Sequence, residues 1–176
     1  MKSYEFKKDE AFIKGKVIKL GDNIDTDIIY PGKYLSLLSP DEIKKHALEG
    51  VDPSFPLRIR PNDVIVAGKN FGCGSSRSQA VTCLKYAGIS AIVAVSFARI
   101  FFRNSINQGL PVIVSRDAYQ KLDDRAPIYI DLLKGIIKSN KTVINFSPLP
   151  DFLLNIILQG GLVPYTKEIL KGNINK

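Results

Sequence analysis

Between an apolar run and a helix-like run, the chain carries Asn70-Phe71-Gly72-Cys73-Gly74-Ser75-Ser76-Arg77-Ser78-Gln79. Glycines at such a junction let the backbone take positive φ, and with no Cβ in the way they let a ligand approach closely. A helix that starts directly afterwards aims its free N–H groups and the positive end of its dipole at the same spot. Arg77 adds a guanidinium fork matched to a carboxylate or phosphate. The chemistry on offer is anion binding. Ser75 and Ser76 have two readings. Either they cap the helix, or one of them moves a proton, which a serine does only where its alkoxide is stabilised, as beside a helix N-terminus and an arginine. The lone histidine, His46, falls mid-helix in a charged run and is expected to face solvent, so a Ser-His-Asp triad is disfavoured. No Gly-Lys-Ser/Thr follows the glycines, which excludes a nucleotide P-loop.

The flanking pattern supplies the elements that must hold this junction. Phe12 to Leu20 alternates as a strand does, and the following GDNIDTDIIYPGKYL reads as a structured loop of turn formers around an apolar island. Ser39-Pro40-Asp41-Glu42 has the form of a capping box and predicts a helix over about 40–49, closed by Gly50. Val64 to Ala67 is a buried-type strand that delivers the chain to the glycines. Ala80, Val81, Leu84 and Ala87 then follow helical spacing up to Gly88. Ala91 to Val95 reads as a strand, Ala98 to Gln108 as a helix and Leu110 to Val114 as a strand, so the organisation is α/β. Short strands at 128–131, 136–137 and 142–146 predict an antiparallel meander that closes the sheet. Asp151 is expected to cap a last apolar helix ended by Gly160-Gly161, with the tail fraying after Tyr165.

Composition narrows the function. The 176 residues suit one domain, 1–176, with its core over about 12–165. With 45% apolar and 24% charged residues, and no apolar run near the roughly 18 needed to span a bilayer, no membrane segment is expected. MKSYEFKKDE has no apolar core of the secretory kind, so a cytoplasmic location is expected. Cys73 and Cys83 are the only cysteines and have no paired metal-binding spacing; no metal site is expected from them alone. The formal charge of +8 is spread along the chain without a basic run, which argues against a nucleic-acid partner.

Three stretches in order, DNIDTDIIYPGKYL, NFGCGSSR and SFARIFFRNSINQGLPVIV, resemble the swivel domain of the aconitase superfamily. More closely, they resemble the free-standing small subunits of the 3-isopropylmalate dehydratase and homoaconitase family, with the similarity running from about Gly15 to Tyr165. The resemblance implies a single swivelling β/β/α domain and a hydro-lyase that moves a hydroxyl between adjacent carbons of a dicarboxylate by dehydration and rehydration. The [4Fe-4S] cluster would be carried by a large-subunit partner, none would be bound by this chain alone, and activity would need both chains. By the same resemblance Ser75 is the catalytic serine that takes and returns the carbon-bound proton. Arg77 binds a substrate carboxylate, and Ser76 adds a hydrogen bond at the helix start. Asp27 is a carboxylate near the closed site that orients groups or carries protons, its alternative being an Asx-turn residue. Tyr34, Leu35, Ser36 and Leu37 correspond to the segment that sets substrate choice. Homoaconitase-type chains place an arginine where this chain has Ser36. The missing cation and the leucines favour an apolar side arm, since a desolvated carboxylate without a partner is costly; alternatively the leucines only pack the loop. Family members usually follow the serine–arginine step with Glu-His or Glu-Gln, whereas Ser78-Gln79 stands here, which removes a carboxylate that would hold Arg77. Arg99, Arg103 and Asn104 either face the substrate or tie the domain together.

The leading expectation is therefore the small subunit of a 3-isopropylmalate dehydratase of leucine biosynthesis. The alternatives are a homoaconitase or related hydro-lyase subunit and, from another class, an anion- or nucleotide-binding module without catalysis. Self-association of the small subunit is a further possibility, through sheet edges or the apolar last helix.

Overall fold

The structure, a computed structural model, describes residues 11–174; the opening MKSYEFKKDE lies outside the described residues. In chain order the elements are β1 (Phe12–Lys19), α1 (Thr26–Ile29), α2 (Pro40–Ile43), β2 (Val64–Ala67), α3 (Ser78–Tyr86), β3 (Ala91–Ala94), α4 (Arg99–Asn107), β4 (Val112–Val114), α5 (Arg116–Lys121), β5 (Pro127–Asp131), β6 (Ile136–Ser139), β7 (Thr142–Asn145), α6 (Asp151–Leu158) and α7 (Leu162–Ile174).

Seven strands form one sheet in the order β4-β3-β2-β1-β5-β6-β7. β1 to β4 pair in parallel, with Val17 beside Val64, Val64 beside Ala91 and Ile92 beside Val112. β5, β6 and β7 continue as an antiparallel meander, with Phe12 opposite Asp131 and Ile137 opposite Ile144. β2 and β3 are buried at every position, as central strands covered on both faces must be. Their alternate residues feed two cores. Ile65, Ala67, Ile92 and Ala94 point to the face packed by α3, α4 and the end of α6. Val64, Val66, Ala91 and Val93 point to the other face, which they share with Ala118 of α5 and with Ile130, Ile137 and Ile144 of the meander. The sheet curls, so that α5 packs against β2, β3 and β7 together.

Several local expectations change. The helix expected over 40–49 is one α turn followed by a 3-10 turn at Lys44–His46, and Ser39 makes no capping bond. Tertiary bonding to α1 decides this: Leu48, at φ 61°, gives its N–H to Ile29 O at 2.8 Å, and Gly50 gives its N–H to Ile28 O at 3.1 Å. α1 itself is a helical turn inside the expected loop, capped by Asp25, which accepts from the Ile28 N–H at 2.7 Å. α5 is an element that hydrophobic spacing missed; its signal was Ser115, whose hydroxyl accepts the Ala118 N–H. Asp151 occupies the first helical position after a Pro150 cap. Beyond Tyr165 the chain does not fray but continues in α7 to Ile174.

Candidate functional site

Parallel strands end on one edge of a sheet, and a crevice beyond their carboxyl ends is where open α/β sheets bind ligands. Here the segments leaving β1, β2 and β3 are stitched together past the strand ends. Gly68 N–H bonds Gly21 O at 3.0 Å, Asn23 N–H bonds Lys69 O at 2.8 Å, Gly72 N–H bonds Ile24 O at 2.7 Å and Thr26 N–H bonds Cys73 O at 2.9 Å. On the other side Phe71 N–H reaches Ser96 O at 3.0 Å and Ala98 N–H reaches Phe71 O at 2.9 Å. The result is a cleft of about 260 Å³ walled by Thr26, the loop Gly72–Arg77 and the start of α4.

Two glycines make the central loop possible. Gly72 has φ 75°, and a Cβ there would lie 2.1 Å from the Phe101 ring; Gly74 has φ 88° with the Thr26 hydroxyl oxygen 3.4 Å from where a Cβ would stand. Thr26 is buried and ties the loop down, its hydroxyl donating to Ser75 O at 3.0 Å. Past that tie the loop is open. Ser75 and Ser76 are exposed, and among the described residues neither hydroxyl has a protein partner, nor does any backbone N–H from Gly74 to Gln79 donate to protein. The capping reading of the serines fails, because the N-cap of α3 is Arg77, which makes no side-chain cap bond. A set of free donors therefore borders the cleft at a helix start, as an anion site requires.

Arg77 is held from α1 and not from its own helix. Its Nη1 donates to Asp27 Oδ1 at 2.5 Å, and the same oxygen accepts the Gly32 N–H at 3.3 Å. The Arg77 hydrogen bond, helped by the Gly32 amide and the guanidinium charge, keeps the Asp27 carboxyl below its ordinary range against the opposing effect of desolvation. The first turn of α3 carries no acidic residue, and the carboxylate that holds Arg77 comes from α1. Ser75, Ser76, Arg77 and, through the ion pair, Asp27 come together at this cleft.

Arg99 and Asn104 line the same cleft, whereas Arg103 does not. Arg99 and Arg103 are exposed, and among the described residues neither forms an ion pair, so the tying role has no support for them. Tyr34, Leu35, Ser36 and Leu37 are not in the cleft wall; they follow Gly32, whose Cα side lies against the Arg77 guanidinium. Tyr34 and Leu37 pack on the core, while Leu35 and Ser36 are exposed and Leu38 is 89% exposed. The packing reading of the leucines therefore holds for Leu37 and fails for Leu38. The expectation that His46 faces solvent is overturned: its ring stacks on Tyr34 with centroids 3.5 Å apart, and Nδ1 lies 2.5 Å from Glu49 Oε2. Helical periodicity could not show this, since the helix ends before His46.

The chain's own residues do not fit an iron–sulfur cluster. Burial pushes the Cys83 thiol up to about 12, where the ligating thiolate is disfavoured, and its Sγ contacts Ile43 O at 3.2 Å. Among the described residues no three His, Cys, Asp or Glu gather as a metal site. No described helix is long and apolar enough to cross a membrane.

The fold is a curled α/β sheet with a glycine loop beyond its parallel strand ends. Residues 17–117, β1 to the start of α5, match the aconitase C-terminal domain, and the chain belongs to that family. Within it, the chain is 48% identical over 163 residues to the 3-isopropylmalate dehydratase small subunit of Nautilia profundicola, covering 92% of this chain and 98% of that one. It is 49% identical over 167 residues to the methanogen homoaconitase small subunit of Methanothermobacter thermautotrophicus, covering 93% and 96%. The crystal structure of 3-isopropylmalate dehydratase from Methanocaldococcus jannaschii superposes with a TM-score of 0.88 at 43% identity, over 93% of this chain and 98% of that chain. The fold is the α/β fold of the aconitase small subunits.

Proposed function

We propose that this chain is the small subunit of a two-chain 3-isopropylmalate dehydratase, a hydro-lyase that interconverts 2- and 3-isopropylmalate by dehydration and rehydration. One observation carries the reading: a serine hydroxyl and a row of amides without partners among the described residues share one open cleft with an oriented guanidinium. Arg77, turned by Asp27, presents its remaining N–H groups to a substrate carboxylate. Ser75, beside the positive end of α3, takes the proton from the carbon next to that carboxylate and returns it on the neighbouring carbon. The free amides and Ser76 hold the developing negative charge. The [4Fe-4S] cluster belongs to the large partner, where it supplies the Lewis acidity for loss of hydroxide; nothing in this chain's part depends on a metal ligand of its own.

Relatives of nearly equal identity are named for different substrates, so substrate choice is read from the loop after Gly32. Its exposed tip offers Leu35, Ser36 and Leu38, and the one cation at its base, Lys33, is paired with Glu49, which suits an isopropyl arm and leaves a carboxylate arm unpaired. The test is to purify this chain with its large partner, cluster intact, and feed isopropylmalate and homoaconitate separately. Turnover of isopropylmalate by the pair, by neither chain alone, is expected. Turnover of homoaconitate in preference would transfer the chain to the homoaconitase class, and phosphate or nucleotide binding without any turnover would make it an anion-binding module.

A further inference from the structure

We propose that Glu49 is a positioning residue for substrate selectivity: it clamps the loop Gly32–Leu38 by gripping Tyr34, whose ring, hydroxyl and carbonyl are all held. The inference rests on the reading above, in which that loop meets the substrate's side arm.

Glu49 is only 17% exposed and both its oxygens are engaged. Oε1 accepts the Tyr34 hydroxyl at 2.7 Å and lies 3.2 Å from Lys33 Nζ, while Oε2 lies 2.5 Å from His46 Nδ1. Burial opposes ionisation of Glu49, but the hydrogen bonds from His46, Tyr34 and Lys33 outweigh it and hold the carboxyl below its ordinary range. The Tyr34 ring is sandwiched by His46 on one side and covered by Lys33, whose Nζ is 4.6 Å from the ring centroid. Its carbonyl accepts the hydroxyl of the buried Tyr30 at 2.7 Å and the Leu37 N–H at 3.0 Å. Tyr34 is thus fixed at ring, hydroxyl and carbonyl, and the next residues, Leu35 and Ser36, are exposed. A hinge this rigid beside a tip this open sets where the tip stands.

The clamp also reports to the ion pair at the cleft. The segment bearing Glu49 is bonded to Ile28 and Ile29 of α1 through Leu48 and Gly50, and α1 carries Asp27, which holds Arg77 and the Gly32 amide. One short helix therefore references both the carboxylate-binding arginine and the side-arm loop. A serine protonating or deprotonating a carbon does not need this; discrimination between arms of different size does.

The test compares malates carrying an isopropyl and a methyl arm, turned over by the assembled two-chain enzyme. Glu49→Ala should raise KM for the isopropyl-armed substrate about 10-fold, the scale on which pocket fit discriminates small apolar groups. It should leave kcat for both substrates and KM for the methyl-armed one within about two-fold. Glu49→Gln can still accept from Tyr34 and donate to His46, so it should restore most of the ratio. If Glu49→Ala does not assemble, His46→Gln, which removes the stacked ring and keeps the carboxylate–hydroxyl bond, decides instead. Equal losses on both substrates, or an unchanged ratio, would overturn the proposal. A wild-type pair that turns over neither substrate removes the parent reading, whereas one that discriminates while its variants keep the ratio removes this inference alone. Because His46 is the sole histidine, its imidazole proton resonance tests the clamp without the partner. An upfield ring-current shift that vanishes in Glu49→Ala supports the clamp, and a free-imidazole shift in the wild type refutes it.

Discussion

The parallel and antiparallel halves of the sheet share a core face but are put to different uses. In β1–β4 every strand points the same way, so the chain leaves β1, β2 and β3 at a single edge, where the exits bond to one another and form the cleft. In β5–β7 each strand reverses, the exits alternate between edges, and the β6–β7 connection is a tight turn with Asn140 at φ 49°. The meander contributes no residue to the cleft wall. Parallel connectivity gathers polar loop ends in one place, and antiparallel connectivity spends its short loops on closing a core. Chemistry should accordingly be separable from stability along this line.

The largest effect expected from that separation lies in the parallel half. Ser75→Ala should lower kcat of the assembled enzyme by about 10²–10⁴-fold, the range of a lost acid–base group. Its thermal unfolding should match the wild type, because the removed hydroxyl is exposed and has no protein partner among the described residues. Retained turnover would break the assignment of the proton to this serine.

Ile137→Ala sharpens the comparison from the other side. Ile137 is fully buried and stands beside Ile130 and Ile144, so truncation should cost about 2–5 kcal/mol of unfolding free energy, read by urea denaturation. Below the shifted transition, kcat and KM should stay within about two-fold. A loss of kcat without a loss of stability would show that the two halves are coupled.

How far the sequence revealed all this divides along similar lines. The strands of both halves were legible, because β2 and β3 are uniformly apolar and the meander strands are separated by Gly135 and Ser139-Asn140-Lys141. The glycine turn was legible, since Gly72 and Gly74 sit where positive φ is needed, and with it the placing of Ser75 and Ser76 just before α3. What was not legible depended on partners distant in the chain. Ser39 and Glu42 wrote a capping box, yet the pairing of residues 48–50 with α1 cut the helix short. His46 and Glu49 looked like a charged helical run until Tyr34 arrived from the preceding loop. Arg77 lacked a local carboxylate at position 78, and Asp27, 59% exposed on its own turn, supplied one from fifty residues away. Local periodicity carries no record of such pairings.

The Asp27–Arg77 pair also gives the smallest of the expected effects. Its hydrogen bond depresses the folded carboxyl below its unfolded value near 3.8, so the pair stabilises the fold above that pH and ceases to do so as pH falls through the folded value. Because Asp27 is more than half exposed, solvent screening limits the contribution to under about 1 kcal/mol. Asp27→Asn should therefore be slightly less stable than the wild type at pH 7 by urea denaturation. The difference should begin to shrink as pH falls below about 3.8, where the unfolded carboxyl protonates, and should vanish once pH passes the lower folded value, where the wild-type carboxyl is neutral in both states. Comparing the two proteins at each pH cancels the titrations they share. A difference that persisted or grew on acidification would mean that Asp27 acts through its shape or hydrogen bonding and not its charge, and the electrostatic account of how Arg77 is held at the cleft would have to be abandoned.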